Sequence, residues 1–225
     1  MIDVNILSSS SKGNCIILEN ILCLDVGVSY AKIKQYLKKI KLIFITHCHQ
    51  DHFNKTTVKK ISYENPTIKY IVGSEDLVNE LVELNVLKKN IYLLESEKRY
   101  DLGLFNCMLE PVIHDKPNHC IHLNINNNNI LYVVDTQNVD NIKAKNYDMY
   151  LIEANYKEEI LKKHIEECTN DDELYYLNRV SHTHLSYEQA TNFLIENMGD
   201  NSKYIFVHKS NRNFGDDNDW RSQNL

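Results

Sequence analysis

The segment THCHQDH, Thr46–His52, follows the short apolar run LIFI, Leu42–Ile45, and puts His47, His49, Asp51 and His52 within six residues. An apolar run of that length reads as a buried strand, so these side chains leave the strand end on a tight turn. Neutral imidazoles and a carboxylate are the donors that borderline divalent ions such as zinc or manganese accept. On such a turn His47 and His49 can face one ion while Asp51 and His52 face another. A hydrophobic core has no use for four such residues side by side. The segment reads as a metal site. Cys48, between the ligands, is expected to point away from the cleft as a buried spacer.

The remaining ligands are sought at other strand ends, because strand termini give fixed positions around a shared cleft. His114 follows EPVI, Asp135 follows LYVV and His208 follows YIFV. Asp25 follows ILCL and is expected to support a ligand imidazole rather than bind metal itself.

The rest of the chain sets the frame. With 225 residues it can bury a substantial core. The scarcity of Pro and Gly, three and six, leaves no linker-like stretch, so one domain over 1–214 with a polar tail at 215–225 is expected. No apolar run approaches membrane-spanning length, the N-terminus lacks a signal-peptide pattern, and the six cysteines form no C-x-x-C pair. A cytoplasmic protein with free thiols is expected. The net charge of −6 argues against a protein that coats nucleic acid indiscriminately. Two lysine runs flank the histidine segment: Lys32, Lys34, Lys38, Lys39 and Lys41 before it, Lys55, Lys59 and Lys60 after it. Each reads first as a solvated helix face, with phosphate steering as the functional alternative.

Strands are expected at IDVNIL, NCIILE, ILCLDV, KLIFIT, TIKYIVG, LFNCMLEPV, CIHLNI, ILYVVD, MYLIEA and KYIFV. CIHLNI and ILYVVD should meet as a hairpin across the Asn-rich turn. Helices are expected at SYAKIKQYLKKI, after Ser74, at YKEEILKKHIEEC and at SYEQATNFLIENM. Strands clustered at both ends and interleaved with helices suggest two sheets inside and helices outside.

This ordered set of strand-end residues resembles the metallo-β-lactamase superfamily, and the resemblance covers nearly the whole chain. Asp25 resembles the first motif, H-x-H-x-D-H the second, His114 the third, Asp135 the fourth and His208 the fifth. The resemblance implies an α+β fold, the four-layer αββα sandwich. It also implies two divalent ions, Zn2+ or Mn2+. One would take His47, His49 and His114, the other Asp51, His52 and His208, with Asp135 between them. Such a pair activates water as the nucleophile, with Asp51 among the catalytic residues.

The superfamily holds several chemistries, so the substrate must be read from local features. SSSSKGNC, residues 8–15, is similar to the Ser-rich Gly-Asn loop of a bacterial subgroup of DNA exonucleases, with Ser10 where Gly is common. Ser10, Ser11, Gly13 and Asn14, with Ser210, are candidates for contacting phosphate; an ordinary polar turn is the alternative. HDKPNHC resembles the same subgroup's third motif, with Asp115 supporting His114 and no role assigned to His119 or His122. LIEANY, HLSYEQA and VHKSNRN occur in the order seen in the superfamily's phosphodiesterases. Carried over from the tRNA 3′-end endonucleases, Glu153 would hold His184 as general acid. Ser186 is read as a helix N-cap and His182 as a structural neighbour. The chain has no room for the large inserted domain of the RNA-processing group and no long tRNA-clamp arm.

The expected activity is therefore hydrolysis of phosphodiesters, by a nuclease or a cyclic-nucleotide phosphodiesterase. The alternatives are a lactonase or thioesterase and, outside the enzymes, a metal-stabilised scaffold. The expected partners are a nucleic acid or nucleotide substrate and a second copy in a homodimer, with no membrane.

Overall fold

A sheet covered on both faces needs apolar residues on both, and the early strands of this chain carry them. Ile16, Ile17 and Leu18 are all buried, as are Leu22, Cys23 and Leu24. The computed structural model describes residues 2–210 and 212–214; the expected tail, 215–225, lies outside the described residues. The chain divides into two units, Met1–Ser96 and Glu97–Leu225.

The first unit holds a six-stranded sheet in sequence order: β1 (Val4–Ser10), β2 (Gly13–Leu18), β3 (Leu22–Leu24), β4 (Leu42–Phe44), β5 (Lys69–Val72) and β6 (Ile91–Leu93). β1 to β3 pair antiparallel through short turns. β3 to β6 run parallel, so each connection must cross over. The crossovers carry α1 (Tyr30–Ile33), α2 (Lys55–Glu64) and α3 (Glu75–Glu83). Ile33, Leu37, Ile40, Val58, Ile61, Leu77 and Leu81 pack on one sheet face with Cys15, Ile17, Ile43, Tyr70 and Val72.

In the second unit the order is β12-β11-β10-β9-β8-β7. Its strands are β7 (Arg99–Asp101), β8 (Asn106–Val112), β9 (Asn118–Ile125), β10 (Asn128–Val133), β11 (Met149–Glu153) and β12 (Lys203–Val207). β7 to β10 are antiparallel and β10 to β12 parallel. The β9–β10 hairpin turns on Asn126 and Asn127, with φ of 51° and 62°. Tight hairpins need positive φ at both central residues, and Asn tolerates it, so the Asn-rich stretch does what the sequence suggests. α4 (Glu158–Glu167), α5 (Asp171–Thr183) and α6 (Tyr187–Asn197) precede β12. Ala190, Phe193 and Leu194 of α6 pack with Leu131, Val133, Tyr150, Ile152 and Phe206. α4 and α5 join through Leu161, Leu177, Val180 and Tyr156.

The expected caps are present: Ser74 accepts from the Leu77 amide at 3.4 Å, and Ser186 forms a reciprocal capping box with Gln189. All six cysteines are free. Among the described residues no helix is long and apolar enough to cross a membrane.

Two helices depart from expectation. SYAKIKQYLKKI buries Ile33, Leu37 and Ile40 as its pattern requires, but α1 ends at Ile33 and continues as a 3-10 turn, Lys34–Tyr36. Like charges one turn apart, as at Lys34 and Lys38, do not support a longer α-helix. Conversely, α5 was not read from its sequence. Its first turn is acidic, Asn170 caps it by accepting from the Glu173 amide at 3.0 Å, and only Leu177, Val180 and Thr183 are buried.

The β1–β2 turn and the segment after β3 brace the histidine turn through bare backbone. The Asn14 amide donates to the Asp51 carbonyl at 2.7 Å and the Gly27 amide to the Asn14 carbonyl at 2.8 Å. A Cβ on Gly27 would sit 1.6 Å from the Asp51 carbonyl oxygen, and one on Gly13 2.3 Å from the Gly27 carbonyl oxygen. Overpacking against backbone has no cheap relaxation. Gly27→Ala is expected to cost ~2 kcal/mol or more in urea denaturation. Gly199→Ala, whose Cβ would meet only the Asn146 side chain, should stay within ~1 kcal/mol of the parent. Equal losses would show that the close approach at Gly27 is unimportant.

Candidate metal centre

Three of the strand-end residues picked out from the sequence share a backbone feature: Asp25, Asp135 and His208 have φ of 59°, 52° and 54°. Non-glycine residues enter this left-handed region at a cost, and Asp and His enter it more readily than most. Each lies one or two residues beyond its strand and is almost wholly buried. Strain at a buried polar residue points to a side chain that must be aimed.

In the first unit the histidine turn begins where β4 ends. The His52 and Phe53 amides return to the His49 carbonyl at 3.0 and 2.7 Å, closing the turn, and Asn54 caps α2 from the Thr57 amide at 3.0 Å. Asp25 anchors the turn: it accepts from the Thr46 amide at 2.8 Å, from Thr46 Oγ1 at 3.0 Å, and from His52 Nδ1 at 2.8 Å. His47 Nδ1 meets Thr46 Oγ1 at 3.0 Å, so Asp25 reaches a second imidazole through a hydroxyl. With its Nδ1 proton committed to Asp25, His52 presents Nε2 as an acceptor, 3.0 Å from Asn14 Nδ2 and 3.4 Å from Asp51 Oδ2. His47 Nε2 and His49 Nδ1 lie 3.0 Å apart. A carboxylate behind the far ring nitrogen fixes tautomer and direction in metal-binding histidines. Asp25 stands behind His52 directly and behind His47 through Thr46, a residue that the sequence alone does not single out. Cys48 is half-buried rather than buried as expected, and packs against the hydrophobic core of this unit.

The second unit carries the other donors. His114 Nδ1 donates to the Thr183 carbonyl at 3.0 Å, which turns Nε2 to the opposite side of the ring. That nitrogen lies 3.2 Å from Asp115 Oδ1 and 3.6 Å from Asp135 Oδ2. Asp115 therefore touches His114 on its donor side and also pairs with Arg179; the Thr183 carbonyl orients the ring. Asp135, Glu153, His184 and His208 each offer a donor atom, all within 4.8 Å of one another. Glu153 Oε1 takes His184 Nδ1 at 2.7 Å and His208 Nδ1 at 3.0 Å, while Oε2 accepts from the Thr136 and Leu185 amides, both at 3.2 Å.

Burial works against charge on His184, yet the carboxylates of Glu153 and Asp135 hold its pKa well above the usual imidazole value. Burial would raise the Glu153 carboxyl, and the hydrogen bonds and charge of its histidine neighbours bring it below the usual value. His184 ends α5 and lies just before Leu185, whose carbonyl accepts from the Asn155 amide at 2.9 Å. This strand-like pairing past the end of β11 brings His184 to Glu153. His182 is exposed and donates to the Asn178 carbonyl of its own helix at 2.9 Å, a structural role as expected.

The candidate phosphate contacts have local partners. Ser10 and Gly13 are the paired ends of the β1–β2 hairpin, with Ser11 exposed at its turn. The side chain of Asn14 bonds to the Ser10 carbonyl at 3.1 Å. Ser210 Oγ accepts from the Asn213 amide at 3.3 Å, as the hydroxyl of an ordinary turn does.

Imidazole nitrogens and carboxylate oxygens, oriented by further hydrogen bonds, are donors that could hold divalent metal ions. No family model matches the sequence, and no curated protein matches it. Solved structures do match. The metallo-β-lactamase fold protein YhfI from Bacillus subtilis is 14% identical over 98% of this chain and 90% of its own, with a TM-score of 0.73. Human tRNase Z, short form, is 16% identical over 94% of both chains, with a TM-score of 0.66. Zn(2+)-bound PqqB from Methylobacterium extorquens is 11% identical over 95% of this chain and 90% of its own, with a TM-score of 0.63. At these identities the likeness is one of fold, and it runs the length of the chain. The expected class is the observed one: α+β, with the metallo-β-lactamase fold.

Proposed function

We propose that this chain is a metal-dependent hydrolase of phosphodiester bonds, acting on nucleic acid or on a cyclic or linear nucleotide. The observation that carries the reading is the 2.7 Å contact between His184 Nδ1 and the buried Glu153. A thioester, whose thiolate leaves without a proton, has no evident use for a charged imidazole held this way. A phosphodiester does, because its leaving alkoxide needs a proton. Human tRNase Z, which shares the fold, lends the reading weight.

The ions are assigned as the sequence resemblance has them. By it, His47, His49 and His114 would hold one, Asp51, His52 and His208 the other, with Asp135 a further ligand. When bound, divalent ions lower the pKa of water and offset the charge of a phosphate. The chain's own part is positioning and proton transfer. Asp25, directly and through Thr46, keeps His52 and His47 in the donor tautomer. Glu153 directs one nitrogen of His184 inward and keeps the ring protonated, leaving the other N–H to donate to the leaving oxygen. The side chain of His184 is 19% exposed, enough to reach a substrate from a largely buried position.

Substitution separates ligand from acid. His184→Ala should keep the parent metal content by elemental analysis and lose ~10²–10⁴-fold in kcat. Loss of one metal equivalent would make His184 a ligand instead. The acid works only while protonated, so kcat should fall as pH rises through the raised pKa of His184. Glu153→Gln removes one of the two charges that raise it, and the alkaline limb of the profile should move to lower pH. Bis-p-nitrophenyl phosphate, linear DNA and RNA, cyclic mononucleotides, an acyl-homoserine lactone and a thioester, each with zinc or manganese, test the substrate class. Turnover of lactone or thioester without any phosphodiester cleavage would overturn the proposal.

A further inference from the structure

On β8 and β9 of the second unit, away from the residues assigned above, three different metal-donor side chains meet. Cys120 and His122 are two apart on β9 and so share a sheet face; Glu110 on β8 is directly opposite Cys120. His122 Nε2 lies 2.9 Å from Glu110 Oε2 and 3.8 Å from Cys120 Sγ, and the donor atoms of all three fall within 4.8 Å of one another. Bonds of about 2.3 Å to sulfur and 2.0 Å to nitrogen or oxygen place tetrahedral ligands roughly 3.3–3.6 Å apart. The His122–Glu110 and His122–Cys120 pairs need only a few tenths of an ångström of adjustment, and the Glu110–Cys120 pair lies within 4.8 Å.

We propose that Glu110, Cys120 and His122 form a second metal site, specific for a thiophilic divalent ion of the zinc class. The thiolate selects zinc over magnesium or manganese. Burial pushes the Cys120 thiol up and the His122 imidazole down, so without an ion both are neutral. Binding M2+ releases the thiol proton. The imidazole proton leaves Nε2 for Nδ1, where Tyr147 Oη, 3.1 Å away, accepts it. One proton is thus released per ion, and a carboxylate and a thiolate balance the two charges. Tyr147 takes the orienting place that a carboxylate or carbonyl usually holds behind a ligand histidine. A cavity of about 460 Å³ borders the site on the side of His122 and Tyr147.

Cobalt distinguishes this site from the other, whose assigned ligands include no cysteine. The full chain, stripped with a chelator, is titrated with Co2+ and with Zn2+. A near-ultraviolet thiolate-to-cobalt absorption is expected, and Mg2+ should not displace the cobalt that gives it. Cys120→Ser should abolish the absorption, and Cys120→Ser and Glu110→Gln should each lower zinc content by one equivalent per chain. Absence of the absorption would leave an ordinary His–Glu hydrogen bond beside a core thiol. Because the absorption is read on the parent protein, the test stands even if a variant fails to fold.

Discussion

A carboxylate sealed from water, Asp25, holds the turn on which the histidine segment depends. An isolated buried charge is too costly to keep, so it must be met by donors. Asp25 meets three: the Thr46 amide, the Thr46 hydroxyl and His52 Nδ1. Each is also a constraint on the turn. The amide fixes where β4 ends, the hydroxyl relays to His47, and the imidazole contact turns the far nitrogen of His52 outward. The bare backbone of Gly13 and Gly27 lets Asn14 brace the same turn from the other side. Loss of the carboxylate would free two imidazoles and a strand end together.

Glu153 has the corresponding place in the second unit, with a different consequence. Both of its oxygens are engaged, one by two imidazoles and the other by two backbone amides. Fixed amides give the carboxylate no freedom to rotate, so the positions of His184 and His208 are set by one group. Asn155 and Asp135 add contacts of their own to His208, but the shared carboxylate is why substitution at Glu153 must act on both histidines.

The residues that carry charge were more legible in the sequence than the elements that place them. His47, His49, Asp51 and His52 announce themselves by density, and Asp25, Asp135 and His208 by following apolar runs. The Glu153–His184 pairing was legible only through resemblance, since 31 residues separate the partners. Thr46 was missed because a threonine in a strand looks like any other β-branched residue. The orienting contact of His114 comes from the carbonyl of Thr183, and a backbone oxygen leaves no mark on sequence. Helix α5 escaped because its buried stripe is narrow, and the length of α1 was overread from periodicity that a 3-10 turn also satisfies.

The left-handed residues at strand ends tie these observations together. In a strand, alternation sends each side chain to one face or the other, where the sheet is already covered by apolar neighbours. A residue with φ near +55° breaks that alternation and redirects its side chain at the point where the ladder stops. Asp25, Asp135 and His208 all do this, and each then meets an imidazole or a carboxylate. Only a residue that tolerates this conformation can serve there, which excludes the β-branched residues preferred in the strands just before. The residue change at the end of each apolar run therefore has two causes at once. The chemistry asks for a donor, and the backbone asks for something other than valine or isoleucine.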